Sequence, residues 1–151
     1  MLKRFKDYFI PIVDHNKRVI DVIKPIHAKK NLNYCDVLIL AGGFGKRLLP
    51  ITSEKPKPLI SLNKNTTILG QIIDSLQSQG FLNLNVSTYY LADQIVKYLD
   101  DNYIGINVLL EKDELGTAGP LLNFYNKNTE ITETILLING DVLTDLNFKN
   151  V

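Results

Sequence analysis

The segment Asp36-Val37-Leu38-Ile39-Leu40-Ala41 constrains this chain more than any other, because it is a near-continuous apolar run that ends abruptly in Gly42-Gly43-Phe44-Gly45. A strand that is apolar on both faces needs cover on both faces, which points to a parallel sheet between helices. The chain from Cys35 onward keeps that alternation. Ile68, Leu69, Ile72, Ile73 and Leu76 share one helical face, with Thr66 or Thr67 placed to cap its start and Gly80 placed to end it. A second strand fits residues 82–88, a helix 92–99, a third strand 104–110, a helix 117–125 and a fourth strand 133–138. Strands separated by helices imply right-handed crossovers, so the expected fold class is α/β, a Rossmann-like, mostly parallel sheet with flanking helices.

A short β-hairpin is expected to precede it. Tyr8-Phe9-Ile10-Pro11-Ile12-Val13 and Arg18-Val19-Ile20-Asp21-Val22-Ile23 flank a turn at Asp14-His15-Asn16-Lys17. A lone hairpin is marginal in water and must belong to something larger or pack on it. The lysine- and asparagine-rich stretch after it reads as a linker, so residues 1–24, 25–33 and 34–151 are expected to be separate parts. The formal charge is +1, with 17 Lys+Arg against 16 Asp+Glu, which leaves no chain-wide field to hold nucleic acid or an anionic membrane. One cysteine cannot form an internal disulfide, and the first residues hold no apolar run of signal-peptide or membrane-span length; both favour a cytoplasmic setting. Cys35 is expected to be a small buried hydrophobe. His15 and His27 have no metal-ligand spacing with any cysteine and read as solvated.

In an open parallel sheet the βα loops emerge along one rim, and ligands bind there. The loops expected on that rim carry Gly42 to Arg47, Tyr89-Tyr90, Glu111 to Gly119, and Gly140-Asp141. Three glycines and two cations directly after a strand form a backbone nest suited to phosphate oxygens, with Arg47 as a forked, permanent charge. The loop is not a Walker P-loop, because Leu40 stands where the first glycine would be and no Ser or Thr follows Lys46. It is not a dinucleotide fingerprint either, because Leu48 stands at the third glycine position. Taken alone, it fits a tight turn with solvated cations equally well. Tyr89 and Tyr90 fit either base stacking or core packing. The following Pro50 to Pro58 segment adds three prolines that fix the backbone around Lys57 and return it toward the glycine loop, while Lys55 reads as solvated.

At these residues the chain resembles the sugar-1-phosphate nucleotidyltransferases. The signature stands as Leu40-Ala41-Gly42-Gly43-Phe44-Gly45-Lys46-Arg47-Leu48-Leu49-Pro50-Ile51-Thr52 followed by Pro56-Lys57-Pro58, with Lys46 where Thr or Ser is commoner. The resemblance extends over residues 34–151, and Leu115-Gly116-Thr117-Ala118-Gly119 is most similar to the mannose-1-phosphate guanylyltransferase branch. It implies that Ala41, Gly42 and Gly43 meet base and ribose, and that Gly43, Gly45, Lys46 and Arg47 hold the triphosphate. It further implies that Lys57 sits at the phosphate under substitution, that Glu111 and Gly116 lie at the nucleobase, with Thr117 also substrate-binding, and that Asp141 binds Mg²⁺. An ionised Glu111 suits the donors on the guanine edge and weakly favours GTP. A turn or capping role is the plain alternative for Asp141.

The implied reaction transfers a nucleoside monophosphate from a nucleoside triphosphate to a sugar-1-phosphate and releases pyrophosphate, with Arg47, Lys57 and Asp141 as the catalytic residues. The family's catalytic domain continues beyond the point where this chain stops. Residues 9–23 are similar to the closing hairpin of a CBS (cystathionine-β-synthase-type) regulatory module. These two features imply a truncated form that binds nucleotide weakly or not at all and turns over poorly. The rival reading is a non-catalytic nucleotide-binding regulatory module.

Overall fold

The computed structural model describes residues 10–23, 35–114, 116–127 and 134–150. The expected linker, His27 and Glu133 lie outside the described residues. The chain divides into two units, Met1–Asn31 and Leu32–Val151. In the first, β1 (Ile10–Val13) and β2 (Val19–Ile23) pair antiparallel, with a register shift at Ile12/Val13. Asp14 shapes the turn: its Oδ1 accepts the N–H groups of Asn16 and Arg18 at 2.8 and 2.9 Å, and Lys17 takes a left-handed φ of 64°.

The second unit is built on β3 (Cys35–Leu40), the apolar run that ends at the glycine loop. It is followed by α1 (Ile68–Ser78), β4 (Asn83–Thr88), α2 (Ala92–Asn102), β5 (Asn107–Leu110), α3 (Gly119–Lys127) and β6 (Thr134–Asn139). The four strands form one parallel sheet in the order β5-β4-β3-β6. Chain order therefore runs outward from β3 through β4 to β5 and then returns to the other side of β3. That reversal makes the carboxyl ends of β3 and β6 the switch point of the sheet, where a crevice opens between diverging connections.

Helices cover both faces. Val37 and Ile39 of β3, with Leu84 and Val86 of β4, meet Leu69, Ile72, Ile73 and Leu76 of α1 and Ile95 and Leu99 of α2. Leu38 and Leu109 meet Phe124 of α3 on the opposite face. Each fully buried side chain of this size contributes about 1.5–3 kcal/mol relative to exposure. Cys35 is buried in the first cluster, as its apolar character predicts. His15 is exposed.

Boundaries differ from the sequence pattern at element ends. Leu82 is 62% exposed and lies ahead of β4, while α2 runs three residues beyond Leu99, to Asn102. The third strand is shorter than its apolar residues imply: Ile104 is 98% exposed and Gly105 takes φ +78°, so pairing begins at Asn107. Thr67, not Thr66, caps α1, accepting the Gly70 N–H at 3.0 Å while its hydroxyl reaches Tyr98 Oη at 3.0 Å. Thr67→Ala is expected to lower stability by about 1 kcal/mol and Thr67→Ser to retain most of it, as measured by urea denaturation.

Candidate functional site

The switch point holds a cleft of about 450 Å³, within the size range of small-molecule sites. Its wall comprises the glycine loop, Lys57-Pro58, Glu111, Glu114, Gly116, Thr117 and the Asn139-Gly140-Asp141 end of β6. Residues nearly a hundred positions apart in sequence thus share one rim, as the parallel topology predicts. Ala41 stands behind that wall. It is 1% exposed, and its N–H is committed to the Ser87 carbonyl at 2.7 Å.

The glycine loop is braced from beneath. Gly45 turns the chain at φ +62°, and the fully buried Thr52 donates its hydroxyl to the Gly45 carbonyl at 3.0 Å. Tyr90 Oη lies 3.1 Å from the Thr52 carbonyl and 3.0 Å from that of Ser53, tying the segment after the loop to the β4–α2 connection. The Phe44 ring packs on Tyr90 at 4.7 Å and edge-on to Tyr89 at 5.8 Å. Both tyrosines are half-buried and in ring contact with Phe44, a residue of the cleft wall. Lys46 and Arg47 open a 3₁₀ turn, Lys46–Leu48, and both are exposed; the Lys46 ammonium stands 5.3 Å from the Phe44 ring centre. Such an aromatic face favours the cation without neutralising it.

Lys57 begins a second 3₁₀ turn, Lys57–Leu59, between the buried Pro56 and Pro58, with Leu59 inserted in the core. The prolines do what their fixed φ predicts and hold the lysine against the glycine loop. Its Nζ meets Asp141 Oδ2 at 2.6 Å, and the two side chains are 31% and 41% exposed. Asp141 reaches this place because β6 ends unusually close to β3. The Gly140 N–H donates to the Leu40 carbonyl at 2.8 Å, and a methyl group at Gly140 would lie only 2.7 Å from the same oxygen. Glycine is therefore required by close approach.

At the other end of the rim, Glu111 follows β5 and extends its ladder by donating its N–H to the Thr88 carbonyl at 2.9 Å. Its Oε1 accepts a hydrogen bond from the buried Ser87 hydroxyl at 2.9 Å. The carboxylate also lies against Gly42, where an added Cβ would be 2.9 Å from Oε1. With Lys57 and Asp141 paired, the remaining charge is segregated by loop: Lys46 and Arg47 on the glycine loop, Glu111 and Glu114 on the β5–α3 connection. Strands in a sheet stand about 4.8 Å apart, so the rim from β5 to β6 spans roughly 14 Å. The cleft therefore offers an anion-binding loop beside an anionic acceptor, which suits a ligand with polyphosphate at one end and hydrogen-bond donors at the other.

Sequence reasoning missed Ser87, which carries no motif, and although it named Thr52 and Tyr90 it did not foresee that they brace the glycine loop. The available signal for Ser87 was a hydroxyl inside an otherwise apolar strand, because a buried polar group needs a partner. Among the described residues no three His, Cys, Asp or Glu side chains gather as a metal cage, and no helix is long and apolar enough to cross a membrane.

A parallel α/β domain with a glycine loop, a proline-flanked lysine and a carboxylate at its switch point is of the doubly wound class. Within that class the chain belongs to the family described as nucleotidyl transferase, whose model matches residues 36–151. It is 38% identical over 110 residues to the D-glycero-alpha-D-manno-heptose 1-phosphate guanylyltransferase of Aneurinibacillus thermoaerophilus, covering 72% of this chain and 46% of that protein. It is 34% identical over 118 residues to the mannose-1-phosphate guanyltransferase beta-B of Xenopus laevis, covering 76% and 32%. The crystal structure of HddC from Yersinia pseudotuberculosis complexed with GMP-PN superposes with a TM-score of 0.66 at 30% identity, covering 76% of this chain and 51% of that one. The chain thus spans about half, or less, of the length of these relatives.

Because Gly140 is fixed by contact with the Leu40 carbonyl, Gly140→Ala is expected to cost about 1–3 kcal/mol in urea unfolding. The same substitution is expected to displace Asp141 from Lys57, read as a loss of the Lys57 side-chain NMR signals characteristic of the ion pair.

Proposed function

We propose that this chain carries the nucleotide-binding machinery of a transferase that moves a nucleoside monophosphate, GMP in preference to the others, from its triphosphate to a sugar-1-phosphate. The observation that supports this most directly is the convergence of the glycine loop, Lys57 and Asp141 on one cleft, with Glu111 on its far wall. In this reading Gly43, Gly45, Lys46 and Arg47 hold the triphosphate, and Gly42, Glu111, Gly116 and Thr117 surround the base. An ionised Glu111 accepts from guanine N1–H and its 2-amino group, whereas adenine presents an unprotonated N1 to the same carboxylate. The names of the relatives, both guanylyltransferases, point the same way.

An oxygen of the sugar-1-phosphate attacks the α-phosphorus; the new P–O bond forms as the bond to the β-phosphate breaks, and pyrophosphate leaves. The attacking oxygen is already anionic, so no proton is moved and no Ser or Cys nucleophile is needed. What the residues supply is alignment of two mutually repelling anions and compensation of their charge. Arg47 serves the triphosphate, and Lys57 serves the phosphate undergoing substitution once its contact with Asp141 opens.

The donor set fits a magnesium ion: Asp141 is a hard-oxygen ligand, partly exposed, at a point where the fold already accommodates a positive charge. Asp141 would supply one carboxylate of the shell, with phosphate oxygens and water among the further ligands. Bound there, the ion would neutralise phosphate charge as a Lewis acid. The hairpin of β1 and β2 is read in this proposal as the end of a CBS-like regulatory module; its exposed Val13, Val19 and Ile20 are apolar surface of the kind that a larger unit would cover.

Titration of the nitrogen-15-labelled chain with each of the four nucleoside triphosphates and Mg²⁺ detects even weak binding. The amides of Gly42, Gly43, Gly45 and Arg47 are expected to shift most with GTP, and no movement there with any triphosphate would overturn the assignment. Turnover of an intact enzyme carrying this segment, followed as pyrophosphate release from GTP and mannose-1-phosphate, is expected to fall on the order of 10²–10³ in Arg47→Ala and in Lys57→Ala. A near-normal rate in either variant would remove that residue from the mechanism.

A further inference from the structure

The wall of the cleft is assigned above, but the group that fixes its acidic side is not. Ser87 is fully buried in β4, paired in register with Leu40 of β3 and Leu109 of β5. Its neighbours Val86 and Leu84 belong to the core facing α1 and α2, so by strand alternation Ser87 points to the opposite face. There it donates to Glu111 Oε1 at 2.9 Å, with the Leu109 carbonyl at 3.5 Å as a poorer alternative acceptor. The same residue's carbonyl accepts the Ala41 N–H at 2.7 Å, so Ser87 holds the start of the glycine loop through its backbone and the carboxylate through its side chain.

We infer that Ser87 is a positioning residue for base selection. It locks the Glu111 carboxylate against Gly42 so that one oxygen is engaged and the other is presented to the Watson–Crick edge of guanine. The inference rests on the reading of Glu111 as the base acceptor. Glu111 is already fixed at its backbone by the Thr88 carbonyl. The hydroxyl adds a second point, which leaves the side chain little rotamer freedom to lose when the ligand arrives. A hydrogen bond to an ionised acceptor is also among the stronger ones, and a site built from fixed acceptors rejects a base without matching donors. A glutamate without this anchor could swing from the cleft and would admit other bases more readily.

The test compares dissociation constants of Mg·GTP and Mg·ATP for the unsubstituted chain, Ser87→Ala, Glu111→Ala and the double variant, by NMR titration. Ser87→Ala is expected to weaken GTP about tenfold while leaving ATP within about twofold, and to add less than about twofold in the Glu111→Ala background. Equal weakening of both nucleotides, as a merely structural role would give, overturns the inference. So does an unchanged GTP constant, or full additivity in the double variant. A chain without preference for GTP before substitution fails at the earlier step, the reading of Glu111, and takes the Ser87 role with it. Ser87→Cys, which is somewhat larger and donates only weakly, replaces Ser87→Ala if the alanine variant unfolds.

Discussion

The cleft depends on how closely the end of β6 approaches the end of β3. Parallel pairing carries through to Leu40 and Asn139, and the next step brings the Gly140 N–H onto the Leu40 carbonyl with no room for a side chain. That one contact delivers Asp141 to the place where the glycine loop leaves β3. Without it the carboxylate and the proline-held Lys57 would belong to separate loops, and the carboxyl edge would have cations but no centre.

Preorganisation runs through the rest of the site. The glycine loop lacks side chains to hold itself, so its conformation is imposed by neighbours: Thr52 beneath Gly45, and Tyr90 across to Thr52, Ser53 and the Phe44 ring. In the proposed function such bracing keeps backbone donors aimed before a ligand arrives, which is where electrostatic stabilisation of phosphate chemistry draws its advantage. Leu91, at φ 49° immediately before α2, shows that the adjoining connection takes on a conformation unfavourable for a leucine, next to the tyrosine that does the bracing.

The charge pattern follows a similar economy. Lys46 and Arg47 stand on the glycine loop, Glu111 and Glu114 on the connection after β5, and Lys57 with Asp141 form a pair at the end of β6. A ligand with charge at one end and donors at the other has only one favourable direction along such a rim. Attack by an anionic oxygen on phosphorus asks for little beyond orientation and charge compensation, which is why an arrangement without a nucleophilic side chain suffices for the proposed reaction.

Much of this was legible in the residues themselves. The apolar run of β3, the helical spacing of Ile68 to Leu76, the glycine loop and the Pro-Lys-Pro segment each follow from local physical chemistry, since side-chain period, backbone permissiveness and fixed φ act within a few residues. The strand–helix alternation therefore identified the rim, and the motif residues the family. Element ends were less legible, as Ile104 shows: an exposed isoleucine beyond a left-handed Gly105 imitates a strand that the sheet never pairs. The tertiary structure alone decided that β6 returns beside β3, that Lys57 pairs with Asp141, and that Ser87 rather than any motif residue anchors Glu111. Those outcomes depend on strand order and on contacts between residues 24 to 99 positions apart, and no local propensity in a chain encodes which distant edge it will meet.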